Sequence, residues 1–327
     1  MTNNQPRLSH RDTNPDSRRR SAPDPASLGK YLLDNDERLV GEYGPYFLLG
    51  PLGEGGMGMA YLAEHEPTGS LLVVKLAGNS GRDEHLEGEF NALTHFDHPN
   101  IVKAFDQGQV YGRRFLVMEL LEGRDLHKQL EIEYLLDADV AAEIAIQTLR
   151  GLEAVHGAGL LHNDIKPANV FLAETPAETT VKLIDFGLCR TAEYARQNMI
   201  SFGTPLYMSP ELASASALDH RSDLYSVGVL LYRMLSGTDP FRGTDREVLD
   251  QTLHRDPSPL EDHMPGLPTG LREIVYCALE KDPQMRFRSA AAFRMALEDA
   301  LECLGPMHSD THALGAPQER KTDVNVA

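Results

Sequence analysis

A chain of 327 residues with a formal net charge of −18 is long enough for one large domain or two lobes, and too acidic to be a general binder of nucleic-acid phosphates. Its three cysteines, Cys189, Cys277 and Cys303, are too few and too widely spaced for a disulfide framework or a zinc site. No apolar run approaches the ~20 residues of a membrane span.

The longest apolar stretch, SVGVLLYRMLSG (226–237), is broken by Arg233, and the opening MTNNQPRLSH has no signal-peptide core. The expected location is therefore cytoplasmic, with any sensing partner met there. Residues 1–43 read as an N-terminal extension, rich in Pro, Asn, Ser and Arg, of which at least the first ~28 are expected to be disordered. The run RRRS (18–21) reads as a solvated tail, with a docking or autophosphorylation site as the alternative.

From Tyr46 the pattern changes. FLLGPLGEGGMGMAYLAEHEPTGSLLVVKLA reads as strand, glycine turn, strand, hairpin, strand. Residues 83–97 carry Leu86, Phe90 and Leu93 at helical spacing, and IVKAFDQG (101–108) and RFLVMEL (114–120) read as strands. Beyond Gly123 the signal turns helical, at 139–159, 223–237, 271–282 and 289–304, while VFLA (170–173) and VKLI (181–184) read as short strands. Strands first and helices second give an α+β chain of two lobes, 44–121 and 122–302, followed by a disordered tail at 303–327.

GEGGMG (53–58) lies between two strands, so it reads as a flap over a nucleotide; a dinucleotide-binding fingerprint would open a helix instead. Lys75 closes the apolar run LLVVK, on a strand that a small sheet half buries, and a buried ammonium needs an anion. Glu89 on the following helix is the best candidate, with Glu87 and Glu84 as fallbacks. HNDIKPANV (162–170) places Asp164, Lys166 and Asn169 between a helix and a short strand, and Asp185 ends the next strand. Asn169 and Asp185 offer the hard oxygens that Mg²⁺ prefers, Asp164 a base, and Lys166 a cation for phosphoryl charge. A charged surface loop is the plain alternative for HNDIKPANV taken alone.

GEGGMGMA, VVK, Glu89, VMELLEG, HNDIKPAN, DFG, GTPLYMSPE, SDLYSVG and DPQMRF occur in the order of the eukaryotic-type protein kinases. Over residues 44–302 the chain resembles that superfamily, in its serine/threonine branch and closest to bacterial members. The resemblance implies a two-lobed protein kinase fold, a β-rich N-lobe with one key helix and a larger helical C-lobe. It implies that Gly53, Gly55 and Gly58 fold over the ATP phosphates, that Lys75 holds the α/β-phosphates and pairs with Glu89, and that Met118 stands beside the adenine. The backbones of Glu119 and Leu121 would meet the adenine edge, Phe171 would lie under the ring, and Asp125 would touch the ribose. Asp164 would accept the proton of a protein Ser or Thr hydroxyl, Lys166 would contact the γ-phosphate, and Asn169 and Asp185 would hold Mg²⁺. Thr204 would support the catalytic loop, Asp223 would anchor its backbone, Glu211 and Arg286 would form a bracing ion pair, and His162 would pack on Phe186 below Leu93. Protein substrates, and transient self-association for autophosphorylation, follow from the same resemblance.

Three features depart from the family pattern. Asn163 stands where the family carries an arginine that pairs with an activation-segment phosphate; asparagine cannot make that charge-assisted bond. Activity independent of such a phosphate is expected, with Thr191 and Ser201 as candidate acceptors and Arg190 as a substitute cation. Ala60 and Val73 exchange the usual valine and alanine of the adenine roof, a volume-conserving swap that keeps an ATP pocket. Ala168 gives no support for selecting arginine ahead of the phosphoacceptor. Two rival functions remain, a pseudokinase-type scaffold and a small-molecule phosphotransferase. The intact set Lys75, Glu89, Asp164, Lys166, Asn169 and Asp185 argues against the first, and GTPLYMSPE and SDLYSVG argue against the second.

Overall fold

The computed structural model describes residues 38–41, 44–55, 58–78, 83–110, 113–175, 178–191 and 204–304. The disorder expected over the first ~28 residues and from 305 onward lies outside this set, while Cys303 and Leu304, read as the start of the disordered tail, close the last helix instead.

Six antiparallel strands build the first lobe: β1 (Arg38–Gly41), β2 (Gly44–Gly55), β3 (Gly58–His65), β4 (Ser70–Ala77), β5 (Ala104–Val110) and β6 (Arg113–Glu119), in the order β1-β2-β3-β4-β6-β5. Their period-two alternation sends Ala60, Val73, Leu116 and Met118 into the main core. Tyr61, Val74, Leu76, Phe115 and Val117 point the other way, into a second apolar cluster. Leu39, from β1, is fully buried in that second cluster. It pairs in register with Tyr46, whose hydroxyl donates to the buried Asp106 of β5 at 2.7 Å. The first and last strands of the sheet are thereby drawn together. The sheet begins at Arg38, within the segment expected to be an extension, because Leu39 completes this cluster.

Helix α1 (Asp83–Leu93) ends four residues before the expected 97. The Thr94 hydroxyl donates to the Asn91 carbonyl at 2.9 Å, and the His95 ring lies 2.6 Å from the same oxygen, which takes that carbonyl from the helix ladder. Strand β5 starts at Ala104, later than expected, because the preceding backbone bonds across the lobes. Leu183 N–H donates to the Asn100 carbonyl at 2.9 Å and Val102 N–H to the Leu183 carbonyl at 2.9 Å.

The second lobe is helical: α2 (Leu126–Ile132), α3 (Ala138–Gly157), α4 (Pro210–Ala213), α5 (Arg221–Ser236), α6 (Asp245–His254), α7 (Thr269–Ala278) and α8 (Ala290–Leu304). Short strands β7 (Gly123–Asp125), β9 (Val170–Glu174) and β10 (Thr179–Leu183) form one small sheet; β8 (Leu160–Leu161) and β11 (Arg190–Thr191) form another. Helix α5 is buried along almost its whole length, which explains the apolar run VGVLLY without a membrane span. No helix among the described residues is long and apolar enough to cross a membrane. Helices α2 and α6 were not expected from periodicity. The polar α6 starts on a capping box, in which Thr244 and Glu247 satisfy each other's backbone N–H groups.

One buried ion pair braces this lobe. Arg286 donates from Nη1 to Glu211 Oε1 and from Nη2 to Glu211 Oε2, both at 2.8 Å. Ser222 Oγ adds a third bond to Glu211 at 2.7 Å. Burial raises the Glu211 pKa, but the Arg286 guanidinium outweighs it and holds the carboxyl below its ordinary value. Glu211→Ala is expected to cost about 3–5 kcal/mol in urea unfolding, because it strands a buried guanidinium. A depressed carboxyl pKa contributes stability that is present above the unfolded value of about 4 and is lost as pH falls through the folded value. The Ala variant is therefore expected to lose less stability than the parent on acidification below about pH 4.

Candidate active site

The roof of the site is the β2–β3 turn. Gly53 and Gly55 lie on β2 and Gly58 opens β3, with Gly55 and Gly58 opposite each other. Gly58 has φ 154°, and a Cβ there would run into the Leu76 carbonyl of β4, so only glycine lets these strands meet. Gly53 has open space around its Cα. Beneath the turn, Ala60 and Val73 join Met118, Leu121 and Phe171 in one apolar cluster. Val73 lies opposite Met118 across β4 and β6, and Phe171 lies opposite Asp125 across β9 and β7. The Leu121 N–H makes no hydrogen bond among the described residues, which leaves it as a donor at the junction. The Glu119 side chain is turned to the rear, where Lys182 Nζ and the Lys103 N–H both reach Oε1 at 2.8 Å. Sequence spacing gave no sign of Lys182, 63 residues away.

Lys75 is the centre of the site. Its Nζ lies 2.8 Å from Glu89 Oε2, 3.0 Å from Glu89 Oε1 and 3.0 Å from Asp185 Oδ1. Burial disfavours the ammonium, but the carboxylates of Asp185 and Glu89 outweigh it and hold the Lys75 pKa above the ordinary lysine range. Asp185 moves the other way: burial opposes its charge, and Lys75 overcomes that and lowers its pKa. The partner of Lys75 is Glu89; Glu87 instead bonds Arg114 at 2.9 Å, and the Glu84 side chain lies outside the description.

The loop after β8 holds the remaining groups. Asp164 Oδ2 accepts from Lys166 Nζ at 2.7 Å and from Asn169 Nδ2 at 2.8 Å, and Asn169 Nδ2 also donates to the Asp164 carbonyl at 2.8 Å. Among the described residues no hydrogen bond reaches the other oxygens, Asp164 Oδ1, Asn169 Oδ1 and Asp185 Oδ2, the last on a side chain that is 30% exposed. An amide oxygen and a carboxylate oxygen are a fitting donor set for a hard cation that takes its other ligands from phosphate and water. Among the described residues no group of three or more His, Cys, Asp or Glu could hold a metal by protein ligands alone.

This loop is tied down from behind. Asp223, at the start of α5, accepts from the backbone N–H of His162 at 2.9 Å and of Asn163 at 2.8 Å. His156 Nε2 lies 2.8 Å from Asp223 Oδ2, a partner that local sequence reasoning missed although His156 ends the helix leading into the loop. His162 packs on Phe186 with ring centroids 4.7 Å apart. Asn163 takes a left-handed backbone, φ 62°, which asparagine tolerates better than most residues. Its Nδ2 donates to the Leu188 carbonyl at 3.2 Å, on the segment that follows Asp185. Asp125 caps α2 by accepting the Lys128 N–H at 2.8 Å, and Thr204 is exposed, with no side-chain bond to the loop among the described residues. A separate cavity of about 820 Å³, lined by Asn100, Gln147, Glu153 and Arg294, lies behind α3 and away from Asp164.

The protein kinase domain model matches residues 46–297. Serine/threonine-protein kinase pkn2 of Myxococcus xanthus is 37% identical over 84% of this chain and 34% of its own length. Pkn1 of the same organism is 34% identical over 83% of the chain and 40% of its own length. PknJ of Mycobacterium tuberculosis is 34% identical over 76% of the chain and 44% of its own length. The chain spans between a third and a half of the length of these curated relatives.

Cys189, beside Asp185 in sequence, is only 3% exposed. Burial first, and then the negative charge of Asp223, push its thiol up to about 12. A redox role at this position finds no support, since the thiolate is the reactive form. With iodoacetamide at about pH 8, close to the ordinary thiol pKa, the exposed Cys303 is expected to alkylate readily. Cys189 is expected to react only after denaturant is added, with mass spectrometry of peptides as the readout.

Proposed function

The chain belongs to the protein kinase domain family, and from that premise we propose that it is an active serine/threonine kinase that moves the γ-phosphoryl group of ATP to protein hydroxyls with Mg²⁺ as cofactor. The observation that carries the reading is Lys75 Nζ bridging Glu89 and Asp185 at 2.8 and 3.0 Å, the arrangement that presents one cation to two phosphates.

In this reading the two bonds on Asp164 Oδ2 fix the carboxylate and aim Oδ1 at the incoming Ser or Thr hydroxyl. Asp164 takes the hydroxyl proton as the oxygen bonds to the γ-phosphorus and the β–γ bridging bond breaks, releasing ADP. Lys166 is placed to neutralise charge on the moving phosphoryl group, and Lys75 to hold the α- and β-phosphates. Asn169 Oδ1 and Asp185 Oδ2 would hold Mg²⁺, which supplies charge neutralisation at the phosphate oxygens when bound. The apolar cluster around Ala60, Val73, Met118 and Phe171 takes the adenine ring, with Leu121 N–H at its edge.

Asn163 bears on regulation. Its amide already links the catalytic loop to Leu188 with a neutral hydrogen bond, so no phosphate is needed to join these two segments. We extend the proposal to basal activity that does not require activation-segment phosphorylation, although Thr191 is exposed and a candidate for autophosphorylation through transient self-association. Ser201 lies outside the described residues. A cytoplasmic location and the absence of a nucleic-acid partner belong to the same proposal.

Asp164→Asn is expected to lower phosphoryl transfer from radiolabelled ATP by about 10²–10⁴-fold while nucleotide binding is retained. Equal turnover in parent and variant removes Asp164 as the base, and an inactive parent favours the scaffold reading. Thr191→Ala/Ser201→Ala is expected to keep initial rates within about tenfold of the parent; a loss of about a hundredfold, near the scale of a positioned base, defeats phosphate independence.

A further inference from the structure

Gly88 stands in the interior of α1, one residue before Glu89. Its backbone is not left-handed, so nothing in its conformation calls for glycine, and glycine is a poor helix former. The reason for it is spatial. The three atoms nearest to a Cβ built there all belong to the Arg190 guanidinium, with Nη1 at 3.0 Å, Cζ at 3.4 Å and Nη2 at 3.5 Å. The guanidinium lies against the bare Cα; a methyl at 88 would make it give by a few tenths of an ångström, and a larger side chain would displace it further.

Arg190 is held in that place from its own side. Its Nη1 donates to the Cys189 carbonyl at 2.6 Å, folding the guanidinium back over the segment. Its backbone pairs with Leu161 of β8, directly before His162. Two residues earlier, the Leu188 carbonyl receives the Asn163 amide. The short stretch after Asp185 is therefore bonded to the catalytic loop through its backbone and rests on α1 through one side chain. That contact falls beside the carboxylate on which Lys75 depends.

We infer that Arg190 is a positioning residue for the Lys75–Glu89 pair, and that Gly88 is the notch that admits it. The guanidinium on the Cα of residue 88 fixes the rotation of α1 about its axis. A turn of the helix away from that contact swings Glu89 off Lys75 and releases Lys75 from its phosphate-holding position. Arg190 touches no substrate in this account; it acts through Glu89. The inference rests on the kinase reading for its consequence and on α1 alone for its geometry.

The test uses the full chain with Gly88→Leu, Arg190→Ala, Arg190→Lys and Gly88→Leu/Arg190→Ala. Hydrogen–deuterium exchange of the α1 amides is measured beside KM for ATP and kcat. Gly88→Leu and Arg190→Ala are each expected to speed exchange across 86–93 and raise KM for ATP by about tenfold, with a smaller change in kcat. Arg190→Lys is expected to fall between Arg190→Ala and the parent. The double variant is expected to recover much of both losses, because leucine fills the space the guanidinium leaves. Exchange and KM within about twofold of the parent in Arg190→Ala overturn the inference. So does a double variant as impaired as the two single effects multiplied, or faster exchange spread evenly over both lobes. A parent without turnover defeats the kinase reading, while α1 exchange still decides the placement of Arg190.

Discussion

A lysine ammonium buried between two carboxylates sets the terms for the rest of this molecule. Lys75 comes from β4, Glu89 from α1 and Asp185 from the segment after β10, so three elements of both lobes meet at one charge. Glu89 is fully buried, so removing Lys75 would leave its carboxylate without water or counter-ion. The sheet must therefore curl over α1, and the second lobe must bring Asp185 up to the first. The backbone exchange among Asn100, Val102 and Leu183 is the joint that makes this approach reproducible.

The second lobe answers with a different device. Its catalytic loop has little regular structure of its own, and loops hold their shape only where something fixes their backbone. Asp223 does this from the most buried helix among the described residues, accepting two successive N–H groups, while the Glu211–Arg286 pair locks α4 to the segment before α8. Charged groups buried at these points supply direction that apolar packing cannot. The side chains proposed to react then need only short local bonds, as between Asp164, Lys166 and Asn169.

What could be read from the sequence was what depends on residue type at fixed spacing. HNDIKPAN and DFG prescribe a loop chemistry, and the alternation in LLVVK prescribes a half-buried strand with a lysine at its end. The apolar periodicity of α3, α5 and α8 was equally plain. What could not be read depends on distant partners. Helix α6 is polar and declares itself only through its capping box. The bond of Lys182 to Glu119 and the rest of Arg190 on Gly88 join residues 63 and 102 positions apart, and no local pattern announces them. Asp125 has a local role that the motif reading passed over, as the cap of the helix that follows it.

Strand β1 separates two borders that are often treated as one. The family likeness begins at residue 46, yet the apolar cluster on the outer face of the sheet is completed by Leu39, and the edge of β2 is paired along Arg38–Gly41. A chain cut at the family border would open a hole under Tyr46 and Phe115 and bare a strand edge of the kind that recruits other strands. The matched kinase domain and the folded sheet are thus offset at the amino end. Arg38 itself enters the lobe at the edge of the sheet, opposite Phe47.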